Sequence, residues 1–202
     1  MDRMLYTAMS GAKHTMDQQS VVSNNLSNVT TTGFRAQLQA ARSVPVLGEA
    51  LLATRISAVT TTPGSDFSQG PVEFTGRTLD VAMQDDAWMA VQADDGTETY
   101  TRRGDLQIDN DGVLLSVGRP VMGEGGPIAV PQGAQISIGA DGTISAIPEG
   151  VGPEALVEVG RIKLVTPEDG ALTRGEDGLF RAPLNEEGGP GALPADENAK
   201  LV

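Results

Sequence analysis

Between residues 3 and 28, apolar or small side chains recur at Leu5, Met9, Ala12, Met16, Val22, Leu26 and Val29. Gln19 fills the one position where the pattern lapses. The steps are threes and fours, the spacing that brings side chains onto one face of an α-helix, and they continue for about seven turns. Asp2 is the expected N-cap and puts negative charge at the positive end of the helix dipole. Asn24, Asn25 and Asn28 weaken helix propensity, and Thr30-Thr31-Thr32-Gly33 is the expected stop. Leaving such a stripe in water is unfavourable by ~25 cal/mol per Å² of apolar area. It must fold back on a core in its own chain or pack against other molecules.

The residues after the helix favour the second outcome. Phe34 to Arg42 is expected to form a short second helix, so residues 1–42 read as a helical assembly arm. Residues 43–76 carry Pro45, Gly48, Thr60-Thr61-Thr62-Pro63-Gly64 and Gly70-Pro71, and read as an extended connector. Residues 77–182 read as a compact antiparallel β domain. Short, partly alternating runs (Leu79–Gln84, Trp88–Ala93, Glu98–Arg102, Leu106–Asp109, Val113–Val117, Gln135–Gly139, Thr143–Ile147, Val157–Val165) are punctuated by Asp-Gly-type turns. Residues 183–202 are rich in Pro, Gly, Asn and Glu and are expected to form a loosely ordered tail. The fold class is thus mainly β with a long N-terminal α-helix: an antiparallel β domain plus a helical and extended arm.

Charge separates the same parts. Residues 1–62 hold five basic and three acidic side chains, a net +2, whereas residues 63–202 hold nine basic and twenty-four acidic ones, a net −15. An overall charge of −13 argues against a basic groove for nucleic acid. Without cysteine there is no disulfide framework and no thiolate metal site. No apolar run approaches the ~18 residues of a membrane span. The start Met1-Asp2-Arg3-Met4-Leu5-Tyr6 lacks the basic, then unbroken apolar, plan of a cleaved signal peptide.

Catalytic patterns are thin. The single histidine, His14, lies within the helix, away from any nucleophile–base arrangement in sequence. Asp109-Asn110-Asp111-Gly112 opens like a calcium loop, but Val113 and Pro120 stand where oxygen ligands are required, so it reads as a hairpin turn. No phosphate-binding glycine loop occurs. Asp85 and Asp86 are adjacent in a strand–turn setting, where neighbouring side chains diverge, which disfavours shared acid–base work in a hydrolase. The other reading is a secreted β-rich module binding carbohydrate or peptidoglycan. It would need an exposed aromatic platform, for which Trp88 and Tyr100 are the candidates.

Two blocks carry a family resemblance. Asn24-Asn25-Leu26-Ser27-Asn28-Val29-Thr30-Thr31-Thr32-Gly33-Phe34-Arg35 resembles the N-terminal signature of flagellar rod and hook proteins, as does the opening Met1–Ala12. Ser27 and Thr32 depart mildly from the usual Ala and Pro. Arg77-Thr78-Leu79-Asp80-Val81-Ala82-Met83 with Trp88-Met89-Ala90-Val91-Gln92 resembles the opening of that family's β domain. Tyr100–Gly104, Asp111–Leu114, Gly118–Gly123 and Ile136–Ser145 continue the likeness. Ala87 stands where Gly is common. Gly33–Leu38, Arg42–Val46 and Gly126–Pro131 are most similar to the proximal-rod members.

The resemblance implies a non-enzymatic structural subunit without cofactor. It would be exported through the flagellum's own type III channel without a cleaved signal and polymerise with other rod subunits in the periplasm to transmit torque. Its partners would be rod subunits and the export apparatus, not nucleic acid, a membrane interior or a small-molecule substrate. Leu5, Met9, Ala12, Met16, Val22 and Leu26 would form the inter-subunit seam. Asn24, Asn25 and Asn28 would satisfy backbone groups at the helix end, Gly33 would permit the turn, and Phe34 would anchor the connector. Family members continue into a C-terminal helix, which is expected to be missing after Val202.

Overall fold

The computed structural model describes residues 2–45, 56–168, 171–185, 189 and 191–202. The chain divides into two compact units, Met1–Phe67 and Ser68–Val202.

The first unit is a helix and a hairpin. Helix α1 spans Asp2–Ser27 as a single 26-residue element. The expected N-cap falls on Asp2, which heads the helix and whose side chain lies outside the described part. At the other end Asn28 donates its backbone N–H to the Asn24 carbonyl (3.2 Å) and Thr31 donates to Asn28 (3.0 Å). Gly33 then adopts φ +67°, the left-handed conformation that turns the chain out of the helix.

The expected second helix is not formed. Strand β1, Gln37–Pro45, occupies that region and pairs antiparallel with β2, Ile56–Ser65. The expectation of an unpaired connector over 43–76 is corrected with it: Ser43 to Pro45 lie in β1, paired with Ile56 to Ala58 of β2, and residues 46–55 fall outside the described part. The physical reason is pairing with a segment distant in sequence. Ile56, Val59, Thr60, Thr61 and Thr62 are β-branched and favour an extended partner, and that non-local ladder outweighs the local helix preference of Ala-Gln-Leu-Gln-Ala-Ala. The register slips between Leu38 and Ala40, opposite Thr62 and Pro63, where proline has no N–H to give to a ladder. Both strands pack against α1.

The second unit is antiparallel β throughout. Its largest sheet has five strands. In spatial order they are Leu164–Val165, β3 (Trp88–Gln92), β4 (Glu98–Thr101), Phe180–Arg181 and Thr173–Arg174. Two three-stranded sheets accompany it, one from Leu106–Ile108, Leu114–Ser116 and Arg119–Pro120, the other from Gln135–Ile138, Thr143–Ile147 and Val157–Arg161. The segment Leu79–Gln84, expected as a strand, makes isolated bridges instead, Asp80 to Asp105 and Met83 to Leu201. The core gathers Met83, Met89, Val91, Leu106, Leu114, Val121, Ile128, Ile144, Ile162 and Leu164. Trp88 and Phe180 pack ring to ring at 4.7 Å beside it.

The tail is the main correction to the expected domain limits. The described residues after 190 are fastened to the β unit. Val202 donates to the Ala82 carbonyl (2.8 Å) and accepts from the Ala82 N–H (2.9 Å), and Leu201 donates to Ala140 (2.7 Å). Ala199 and Leu201 join the core cluster. Composition points to a loose tail and misses this fastening. Two apolar side chains at alternate positions suffice to seat a three-residue pairing once a complementary edge exists.

Candidate functional site

Side-chain exposure divides α1 into two faces. Leu5, Met9, Met16, Val22 and Leu26 are 68, 59, 71, 58 and 70 % exposed, and Ala12 is exposed with them. The half-buried positions are Thr7, Ser10, Gly11, His14, Asp17, Val21, Asn25 and Asn28, about half a turn away around the helix. The helix therefore turns its small and polar face inward and leaves its apolar stripe open. Covering a Leu, Val or Met side chain stabilises by about 1.5–3 kcal/mol, so this stripe holds on the order of 5–10 kcal/mol of gross burial energy. The cost of ordering a partner offsets part of it.

The end of the helix is held by its asparagines. Asn25 Nδ2 donates to the Gln37 carbonyl (3.0 Å), and its Oδ1 accepts from the Gln37 N–H (3.0 Å). Asn28 Nδ2 donates to the Asn24 carbonyl (2.9 Å), and Asn28 Oδ1 accepts from the Thr31 hydroxyl (3.3 Å). Asn24 contributes its backbone oxygen. Phe34 is half-buried and donates its N–H to the Thr31 carbonyl (3.2 Å), and Arg35, next in the chain, is buried. Asn24, Asn25, Asn28, Gly33 and Phe34 are thus gathered in one turn, while Leu5, Met9, Ala12, Met16, Val22 and Leu26 line one helix face.

The chemistry-bearing residues do not converge. His14 is half-buried on the inward side of α1. Asp85 and Asp86 are both exposed, at the rim of a shallow cavity with Thr166, Asp196, Asn198 and Lys200. Among the described residues no group of three or more His, Asp or Glu side chains could hold a metal ion, and no helix is long and apolar enough to cross a membrane. Trp88 is 3 % exposed and Tyr100 fully buried, so neither offers a platform for a sugar ring.

Sequence reasoning missed one polar cluster. Lys163 Nζ donates to both carboxylate oxygens of Glu98 (2.8 Å each). The Tyr100 hydroxyl donates to Glu98 Oε1 (2.7 Å) and accepts from the Leu193 N–H (2.7 Å). Burial, reinforced by the Glu98 carboxylate, pushes the Tyr100 phenol well above its ordinary value. The alternation Glu98, Tyr100 hints that both side chains share a sheet face, but Lys163 and Leu193 are too distant in sequence to have been placed there.

Comparison with known proteins places this geometry. Residues 5–35 match the family described as flagella basal body rod protein, and residues 82–146 match the flagellar hook protein FlgE/F/G D1 domain. The chain is 49 % identical, over all of its length and 80 % of the relative's, to the flagellar basal-body rod protein FlgF of Salmonella typhimurium. The FlgF of Escherichia coli is 48 % identical over the same shares of the two chains. The flagellar basal-body rod protein FlgG of Bacillus subtilis is 32 % identical over 95 % of this chain and 81 % of its own. The first matched segment takes in most of α1 and its asparagine-held turn, the second covers residues 82–146 of the β unit, and the chain belongs to the flagellar basal-body rod protein family, with FlgF proteins among its relatives.

Proposed function

We propose that this chain is a structural subunit of the bacterial flagellar basal-body rod and joins neighbouring rod subunits through the open face of α1. The observation that carries the reading is the division of that helix. Its polar face is the inward one, and Leu5, Met9, Ala12, Met16, Val22 and Leu26 remain exposed along about six turns. Partner helices would cover them in knobs-into-holes fashion. Such a subunit works through interfaces rather than through a pocket, and a helical polymer of it would carry torque from motor to hook. The asparagine-held turn would set the angle at which the hairpin leaves the seam. Assembly in the periplasm, after export through the flagellum's own channel without a cleaved signal, fits this role. The acidic β unit would resist nonspecific association before assembly.

Charge insertion tests it. Met16→Asp or Leu26→Asp is expected to abolish rod assembly and motility while the β unit keeps its fold, checked by near-ultraviolet circular dichroism at Trp88. A motile strain carrying either change would overturn the seam. The carbohydrate-binding alternative gains nothing from the buried Trp88 and Tyr100.

A further inference from the structure

The open stripe contains two thioethers. Met9 and Met16 are 59 and 71 % exposed, whereas Met83 and Met89, in the β unit, are 4 and 0 % exposed. Seven residues separate the first pair, so they stand about two turns, or roughly 10 Å, apart on one helix face. Thioether sulfur is a nucleophile toward peroxides, and access governs its rate once the chemistry is the same. Among the chain's seven methionines, Met9 and Met16 are therefore open to such attack, and Met83 and Met89 are protected from it.

We infer that Met9 and Met16 form a paired oxidation site for two-electron oxidants of the peroxide class, one that acts on the subunit before assembly. The sulfur lone pair attacks one peroxide oxygen. The O–O bond breaks, an S–O bond forms, and the departing hydroxide takes the remaining proton as water. Sulfur is oxidised by two electrons, and the peroxide is reduced. Each product sulfoxide puts a strong dipole on a stripe that otherwise presents Leu5, Ala12, Val22 and Leu26. A partner helix covering that stripe would have to desolvate two such groups without hydrogen-bond donors opposite them. Oxidation would then withhold a damaged subunit from the polymer, and an assembled seam would shield the same sulfurs. The functional half of this inference rests on the seam proposed above; the site itself rests on exposure alone.

The test treats the full chain with limiting hydrogen peroxide and maps oxygen uptake by peptide mass spectrometry. Met9 and Met16 are expected to be oxidised at least about fivefold faster than Met83 and Met89. Retention on a phenyl matrix, which reads the open face without assembly, is expected to fall and to recover on treatment with methionine sulfoxide reductases. Sedimentation is expected to show self-association of the untreated chain and its loss on oxidation. In the Met9→Leu/Met16→Leu chain, phenyl retention is expected to be the same before and after peroxide treatment. Oxidation of Met83 and Met89 as fast as of Met9 and Met16, or unchanged phenyl retention, would overturn the site. An untreated chain that never associates would instead count against the seam, and with it the functional half, while the mass spectrum still decides the modification.

Discussion

The side-chain amide of Asn25 takes both backbone hydrogen-bonding groups of Gln37, donating to its carbonyl and accepting from its N–H, each at 3.0 Å. A side chain of α1 thereby stands in for a neighbouring strand at the first residue of β1. It couples helix and hairpin across twelve residues of chain, including the turn at Gly33.

That coupling makes Asn25 sensitive to small changes. Asn25→Ala removes both bonds and is expected to cost about 1–3 kcal/mol, since the Gln37 groups lose their partners at a half-buried site. Asn25→Asp keeps the acceptor but sets a carboxylate against the Gln37 carbonyl, so above about pH 5 it is expected to be no better than Ala. Faster amide hydrogen exchange at Gln37 checks both variants. Unchanged exchange would show that the hairpin holds itself.

Tyr100 links β4 to the closing segment. Tyr100→Phe leaves the Leu193 N–H without its acceptor and the Glu98 carboxylate with one donor fewer, at an expected cost of about 1–3 kcal/mol. Hydrogen exchange over residues 193–202 should rise more than over β3. The phenol also predicts an alkaline limb. Its folded value is raised, so the folded state holds the proton more tightly, and stability is lost as pH rises above the ordinary value of 10. Denaturant midpoints should fall there in the native chain and fall less in the Phe variant.

Acid should also weaken the β unit. The carboxyls of Asp95, Asp141 and Asp196 are held below the ordinary value of 3.8 mainly by the hydroxyls of Thr97, Thr143 and Thr166, and that of Asp177 mainly by the Arg181 guanidinium. Lowered folded values give stability that is present above 3.8 and lost as pH falls through them. Urea midpoints are therefore expected to drop progressively below about pH 4. Asp141→Asn should flatten that dependence, and an unchanged slope would show that Asp141 does not contribute to it.

Gly112 and Gly96 separate strain from crowding. Both have left-handed backbones, φ +84° and +81°. A Cβ at Gly112 would run into the Val130 carbonyl, whereas at Gly96 it would meet nothing within 4 Å. Gly96→Ala is expected to cost about 1 kcal/mol, and Gly112→Ala about 3 kcal/mol or more, because strain and collision add. Thermal melts of the two variants provide the measurement; equal losses would mean that the Val130 segment yields freely.

What the amino-acid order determined alone was local. The 3–4 spacing from Leu5 to Leu26 specifies a helix and its stripe, the Asn-rich and Thr-Gly run specifies where it stops, and the Asp-Gly pairs specify most hairpin turns. Each depends on residues within a few positions of one another. Tertiary structure decided what depended on distant partners. Gln37–Pro45 became a strand because Ile56–Ser65 lay opposite it. Residues 193–202 were fixed because Met83, Ala140 and Tyr100 offered hydrogen bonds and a core to close against. Which face of α1 stayed open was decided the same way. Periodicity defines a stripe, but only the inward placement of Thr7, Gly11, His14 and Asn25 shows that the apolar side faces away. Short-range torsional and hydrogen-bond preferences are written residue by residue, while burial is a property of whichever surfaces meet.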